Sequence, residues 1–209
     1  MADLDISKLS DVESITLHHY NQTAEDFWVG TKDHDVKQNY QALLSQFPPN
    51  QSLSILDFGC GPGRDVKYFK SLGHKAIGLD GCPSFCEMAR SYSGCDIWHQ
   101  SFLSLTLPDN YFDAVFANAS LFHVPSAELP RVLKELHAIL KPNGILFTSN
   151  PRGQEEGWFG ERFGHYMELD VSTRYYKDAG FEVIDHYYRP EGKPRNQQPW
   201  LAMVSRCLK

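Results

Sequence analysis

The sequence has no run of lysine or arginine: 20 basic residues are scattered among 26 acidic ones, for a formal charge of −6. Binding to a phosphate backbone needs a concentrated basic surface, so nucleic acid is excluded as the main partner. The one basic cluster, Arg189, Lys193 and Arg195, reads as a solvated loop or a seat for a small anionic group. Nothing approaches the roughly 20 consecutive apolar residues of a membrane span. The opening Met1-Ala2-Asp3-Leu4-Asp5 is acidic where a secretion signal is basic. A cytoplasmic protein without membrane contact is the expectation. Cysteine is sparse and odd in number: Cys60, Cys82, Cys86, Cys95 and Cys207 lack the paired spacing of a zinc site. Reduced thiols and no metal follow from that. Internal repeats and low-complexity tracts are absent too. At 209 residues and 42% hydrophobic, the chain fits one α/β domain with a full core and leaves little room for a second.

What is present is an alternation of short apolar runs with helical periods. Residues 54–58 form an apolar run ending in glycines, as a buried parallel strand does. Val66, Phe69 and Leu72 then share a helix face that Gly73 terminates. A second strand at 76–79 ends at Asp80, a helix around Phe85, Met88 and Ala89 stops near Gly94, and strands follow at 96–98 and 112–117. Leu129, Val132, Leu133, Leu136, Ile139 and Leu140 keep the 3.6-residue period, with Ser126 a possible cap and Pro130 in the tolerated first turn. Lys141-Pro142-Asn143-Gly144 turns into a fifth strand at 145–149. Glycines 153, 157, 160 and 164 punctuate a pocket-forming insert or lid. A helix near 171–179 and strands at 181–184 and 200–205 close the chain, the last two joined by a loop as in an antiparallel hairpin. At the other end, Val36, Tyr40, Leu43, Leu44 and Phe47 have helical spacing, after a polar and aromatic stretch at 20–31. This is the βαβ order of an α/β protein.

The chemistry concentrates in Ile55-Leu56-Asp57-Phe58-Gly59-Cys60-Gly61-Pro62-Gly63-Arg64-Asp65, a glycine turn between the first strand and its helix. Glycine admits positive φ angles and lets a ligand approach the backbone unobstructed by Cβ. The turn could serve a nucleotide, since dinucleotide enzymes place glycines at the same topological point. Three features point elsewhere. The spacing is G-x-G-x-G, not the G-x-G-x-x-G of a pyrophosphate turn. Asp57 would repel phosphates but could order water or loop amides around a cationic amino-acid ligand. Asp80, ending the second strand, is placed to accept hydrogen bonds from both ribose hydroxyls of an adenosine. No phosphate-binding lysine accompanies the turn.

With these residues the chain resembles the class I S-adenosylmethionine-dependent methyltransferases of the methyltransferase-11/25 type. Asp57 to Gly63 matches their first motif and Asp80 their ribose acid. The resemblance continues through Gln100-Ser101-Phe102, beside adenine in that family, and through Ala117-Asn118-Ala119-Ser120-Leu121-Phe122-His123, the strand-four motif beneath the methyl donor. It also covers the turn Leu140-Lys141-Pro142-Asn143-Gly144. Ser101 departs from the pattern, standing where Asp is common.

The resemblance implies a Rossmann-like three-layer sandwich, with a seven-stranded, mostly parallel sheet and an antiparallel C-terminal hairpin. One methyltransferase domain would span residues 1–209: a helical cap (1–50), a cofactor-binding core (51–150) and a substrate-side insert with the hairpin (151–209). S-adenosyl-L-methionine would be the cofactor, held by Asp57, Gly59, Cys60, Gly61, Gly63, Arg64, Asp80, Gly81, Ser101, Phe102 and Asn118, under a cover of Tyr20, Phe27 and Thr31.

His123, just past the fourth strand, is the candidate general base or acceptor-orienting group. Asn150, Arg152, Tyr166, Arg189 and Gln198 are candidate substrate contacts, as are Trp158, Arg162, Arg195, Gln197 and Trp200 nearby; an arginine fork suits a carboxylate. The pattern from Tyr20 to Trp28, through Asp33 to Val36, to Gln197 to Ala202 is similar to the methyltransferase portion of ovothiol biosynthesis. That similarity implies a thiohistidine methylated on an imidazole nitrogen. Another small metabolite, or a non-catalytic S-adenosylmethionine-binding regulator, fits the same cofactor residues. The expected assembly is a monomer or homodimer.

Overall fold

The computed structural model describes residues 6–209. Three helices open the chain: α1 (Ile6–Gln22), α2 (Ala24–Thr31) and α3 (Lys37–Leu44). The stretch at 20–31, which shows no single apolar period, becomes the end of α1 and the whole of α2. Next come β1 (Ser54–Phe58), α4 (Arg64–Ser71), β2 (Lys75–Asp80), α5 (Pro83–Ser93), β3 (Asp96–His99) and β4 (Phe112–Asn118). The remainder is α6 (Leu129–Ile139), β5 (Leu140–Pro151), β6 (Glu156–Phe159), β7 (Arg162–His165), α7 (Leu169–Asp178), β8 (Phe181–Arg189) and β9 (Trp200–Cys207).

Seven strands form one sheet in the order β3-β2-β1-β4-β5-β9-β8. β1 to β5 run parallel, and β9 lies antiparallel to both β5 and β8. The result is the Rossmann-like α/β sandwich with an antiparallel C-terminal hairpin that the sequence led us to expect. Period-2 alternation distributes each strand between two layers. On β1, Ile55 packs with Leu43 of α3 and Phe69 of α4, while Leu56 and Phe58 face Val132, Leu133 and Leu136 of α6. Each such fully buried side chain contributes about 1.5–3 kcal/mol.

Some boundaries differ from the sequence reading. Ser126 does not cap α6: the helix begins at Leu129 behind Glu128, with no side-chain cap, and the Ser126 amide donates to Glu156 (2.7 Å). β5 is longer than 145–149 because Leu140 already pairs with Phe112 before a register shift. The glycine-punctuated insert folds as a two-stranded ribbon of β6 and β7 in which Gly157 sits opposite Gly164. Glycines at paired positions left no apolar alternation to read. The ribbon, α1 and α2 rise over the C-terminal ends of β1 to β4, where α/β folds bind ligands, while α3 packs on a face of the sheet.

Candidate active site

A cavity of about 600 Å³ opens at those strand ends. Its floor is the loop after each strand: Gly59–Pro62 after β1, Asp80–Gly81 after β2, Phe102–Leu103 after β3, and Asn118–Ser120 after β4. α1 and α2 roof it with Glu13, Tyr20, Phe27 and Thr31, and Phe122, His123, Arg162, Arg189 and Trp200 complete the wall.

The three glycines do different work. A Cβ on Gly59 (φ +79°) would lie 2.3 Å from Ser120 Cβ, and one on Gly63 (φ +97°) 2.8 Å from Ala89 Cα, so these two allow close packing. A Cβ on Gly61 would meet nothing nearer than Phe27 at 3.8 Å. The turn is therefore bare backbone where it faces the cavity. Asp80, buried at the end of β2, accepts the amide N–H of Gly61 on Oδ2 (2.9 Å) and that of Cys82 on Oδ1 (2.8 Å). Burial pushes its pKa up to about 6, against the opposing pull of those amides. Asp57 is also buried, beneath the turn and outside the cavity wall, with Oδ2 lacking a partner among the described residues. Burial, then the charge of Asp65, holds its carboxyl well above the usual range.

At the β4 side the wall is polar. Arg64 grips Asp65 through Nε (2.6 Å) and Nη2 (3.0 Å), and its Nη1 donates to the Thr31 carbonyl at the end of α2 (2.9 Å). Asp65 also accepts from Tyr40 (2.5 Å) and from the Asn118 amide (3.1 Å). Asn118 in turn accepts from Asn39 (2.9 Å), which accepts from Tyr187 (2.8 Å). Asp65 is thus the hub that positions Arg64 and Asn118, and sequence reasoning missed it. Its only signal was a second acid closing the glycine motif.

His123 is clamped from both ends. Its Nδ1 lies 2.6 Å from the Phe163 carbonyl, which can only accept, so Nδ1 carries the proton. Nε2 then offers its lone pair to the Tyr20 hydroxyl at 2.9 Å. Burial lowers the His123 pKa to about 4, so the imidazole is neutral at physiological pH. Burial raises the Tyr20 pKa, with Arg162 pulling the other way from a guanidinium nitrogen 3.4 Å from the hydroxyl. Tyr20, Phe27 and Phe85 form a continuous aromatic contact above the floor, with ring centroids 5.1–5.5 Å apart.

The other candidates fall in different places. Cys60, Gly81, Phe102 and Arg189 line the cavity; Arg189 donates to the Asp35 carbonyl (3.0 Å). Thr31 also lines it, although its hydroxyl is used by the Phe27 carbonyl (2.7 Å). Ser101 stands just behind the wall and donates to the Glu13 carboxylate. Asn150, Arg152, Tyr166 and Gln198 are not brought to the wall. Arg152 spends its fork on Glu168 (2.8 Å) and the carbonyls of Gln198 (2.6 Å) and Arg195 (2.7 Å), tying β5 to the 190–199 loop. Gln198 donates to the Pro190 carbonyl (3.0 Å), Tyr166 stacks on Phe159 (4.2 Å), and Asn150 Oδ1 is buried without a partner among the described residues.

Residues 56–148 match the methyltransferase domain family. A sterol 24-C-methyltransferase of Aspergillus fumigatus is 26% identical across 90% of this chain and 60% of its own length. A malonyl-[acyl-carrier protein] O-methyltransferase of Pectobacterium atrosepticum is 27% identical across 72% of this chain and 58% of its own. The chain thus spans about 60% of the length of these relatives. In fold it is similar to the 1,6-didemethyltoxoflavin-N1-methyltransferase of Burkholderia thailandensis, solved with 1,6-didemethyltoxoflavin and S-adenosylhomocysteine bound. That match has a TM-score of 0.79 at 19% identity, covering 100% of this chain and 94% of the other. The glycine turn, Asp80 and Asn118 all fall within the residues that match the methyltransferase domain, 56–148.

Proposed function

We propose that this protein transfers a methyl group from S-adenosylmethionine to a nucleophilic atom of a small acceptor seated against Tyr20, Phe122, His123 and Arg162. The observation that carries the reading is the pairing of Tyr20 with a neutral His123 on the wall of the same cavity whose floor is the bare Gly61 backbone and Asp80. The residues fit the cofactor: Asp80 keeps lone pairs beyond its two amide bonds for a ribose diol, and Arg64 and Asn118 give the β4 side the polarity an amino-acid tail requires. Cys60, Gly81 and Phe102 line its path, Gly59 and Gly63 shape the turn, and Asp57 backs it from below. Tyr20, Phe27 and Thr31 close over it. Bound there, the sulfonium supplies an already activated methyl group.

The protein's part is orientation, dryness and proton handling. Orientation alone is worth on the order of 7 kcal/mol or more in favourable systems. Because Tyr20 donates its proton to His123 Nε2, the phenol oxygen is left to accept a hydrogen bond from an N–H, O–H or S–H of the acceptor. When that atom takes the methyl, its proton passes to Tyr20 while the Tyr20 proton passes to Nε2, and Arg162 steadies the charge in between. Arg162 has no carboxylate partner among the described residues. It suits an acceptor with an anionic group, and Arg189 offers a second cation on the wall. A thiohistidine suits the charge of the wall: its carboxylate opposes Arg162, and its nucleophile is the imidazole nitrogen that bears no proton, the proton released after methylation being the one on the other ring nitrogen. The relatives act by name on a sterol, a malonyl-[acyl-carrier protein] and a didemethyltoxoflavin, so kinship alone does not fix the acceptor.

The test is to incubate the protein and S-adenosylmethionine with thiohistidine, histidine, small carboxylic acids and a metabolite extract, and to identify methylated products by mass spectrometry. Tyr20→Phe should lower kcat for a proton-bearing acceptor by about 10²-fold or more and leave cofactor affinity within a few-fold. A protein that binds the cofactor and methylates none of these would be a binding protein, not this enzyme.

A further inference from the structure

We infer that Glu13 of α1 reads the 6-amino group of the cofactor's adenine, in place of an acid on the β3 loop. The inference rests on the cofactor assignment above and starts from the order of the strands. β2 lies between β1 and β3, and neighbouring strands are about 4.8 Å apart. A ligand whose sugar sits on Asp80 therefore extends one end over the loop after β1 and the other over the loop after β3. The two ends differ in character. Toward β4 the wall carries Arg64, Asp65 and Asn118; toward β3 it is apolar, with Val12, Leu17, Phe102 and Leu103. A flat heteroaromatic base belongs at the apolar end and a zwitterionic tail at the other.

At that apolar end the Glu13 carboxylate stands out. It lines the cavity and accepts a hydrogen bond from Ser101 Oγ, across from α1 to the residue after β3. The Leu103 amide donates to the same Oγ (2.9 Å), so the hydroxyl proton is directed at Glu13. The β3 loop thereby orients Ser101, and Ser101 orients one carboxylate oxygen, leaving the other to accept. The adjacent Phe102 amide meets no acceptor among the described residues. An acceptor beside a donor complements an amine beside a ring nitrogen, which is the Watson–Crick edge of 6-aminopurine. A 6-keto base reverses that pattern and would set its oxygen against the carboxylate.

The experiment is isothermal titration of the protein with S-adenosylhomocysteine and with its 6-keto counterpart, S-inosylhomocysteine, for the wild type, Glu13→Gln and Glu13→Ala. Circular dichroism confirms that each variant folds. The wild type should prefer the amino compound by roughly 10- to 100-fold, the range of a hydrogen bond to a charged acceptor. Glu13→Ala should reduce that preference to within about threefold, and Glu13→Gln, whose amide can donate to a keto oxygen, should bind the inosyl compound more tightly than the wild type does. Unchanged discrimination in both folded variants overturns the role of Glu13 and leaves the methyltransferase reading intact. Failure of the wild type to bind either compound overturns both.

Discussion

Asp80 accepts two backbone amides yet titrates near 6 because it is buried. A diol donates to a carboxylate, so on the proposed reading the ionised form is the one that would hold ribose. As pH falls below about 6, the neutral fraction grows and apparent affinity for S-adenosylhomocysteine should weaken, approaching tenfold per pH unit once protonation dominates. Affinity above pH 7 should be flat. Titration calorimetry from pH 5 to 8 checks this, and Asp80→Asn should remove the slope along with much of the affinity. That Asp80 and His123 would meet at one cavity was legible in the sequence, because each closes or follows a parallel strand at the end where the glycine turn lies. Asp65 and Glu13 were not. Their partners come from distant segments: Tyr40 and Asn118 meet Asp65, and Ser101 lies 88 positions from Glu13. Local spacing carries no trace of such bonds. The same holds in reverse for Arg152, whose fork looked available until the chain folded Glu168 and two carbonyls onto it.

Elements with one strong period were readable, and those built on glycine or on two short helices were not. α6 repeats its apolar residues every 3.6 positions against the sheet, so its extent could be written down from the sequence to within a turn. The β6–β7 ribbon could not, since Gly157 and Gly164 occupy facing positions where side chains would have shown an alternation. The junction of α4 and α5 offers a test of what the glycine turn does at this scale. Gly63 precedes α4 with φ +97°, and a Cβ there would press on the Ala89 backbone of α5 at 2.8 Å. Gly63→Ala should cost on the order of 2–4 kcal/mol through backbone strain and overpacking. A melt should show Tm lower by about 5–15 °C. Because Gly63 stands outside the cavity wall, the folded variant should keep its cofactor affinity within about threefold. A large loss of affinity without loss of Tm would mean that Gly63 touches the ligand.

For the molecule as a whole, the cavity wall is drawn from the opening helices, four strand-end loops, the β6–β7 ribbon, the edge strand β8 and its neighbour β9. A ligand filling it connects parts of the chain that are otherwise far apart in sequence. Saturation with S-adenosylhomocysteine at about 100 times its Kd should therefore stabilise the fold by ~2.7 kcal/mol. Differential scanning fluorimetry should show a Tm about 5–10 °C higher for a chain of this size, and no such gain with NAD. Fold class was readable at this scale because strand and helix alternate so regularly; the roof was not, since its contacts to the core are long-range. α1 gives that roof a kinetic meaning. Glu13 and Tyr20 ride on the same rod, two helical turns or about 10 Å apart, and on the readings proposed above one would cover the base and the other the reacting atoms. Seating the donor would then fix the rod, and the rod would hold the phenol in register for the second reactant. Turnover should accordingly follow a compulsory sequence, donor first and spent donor last, with the lifting of a single helix as the gate for both.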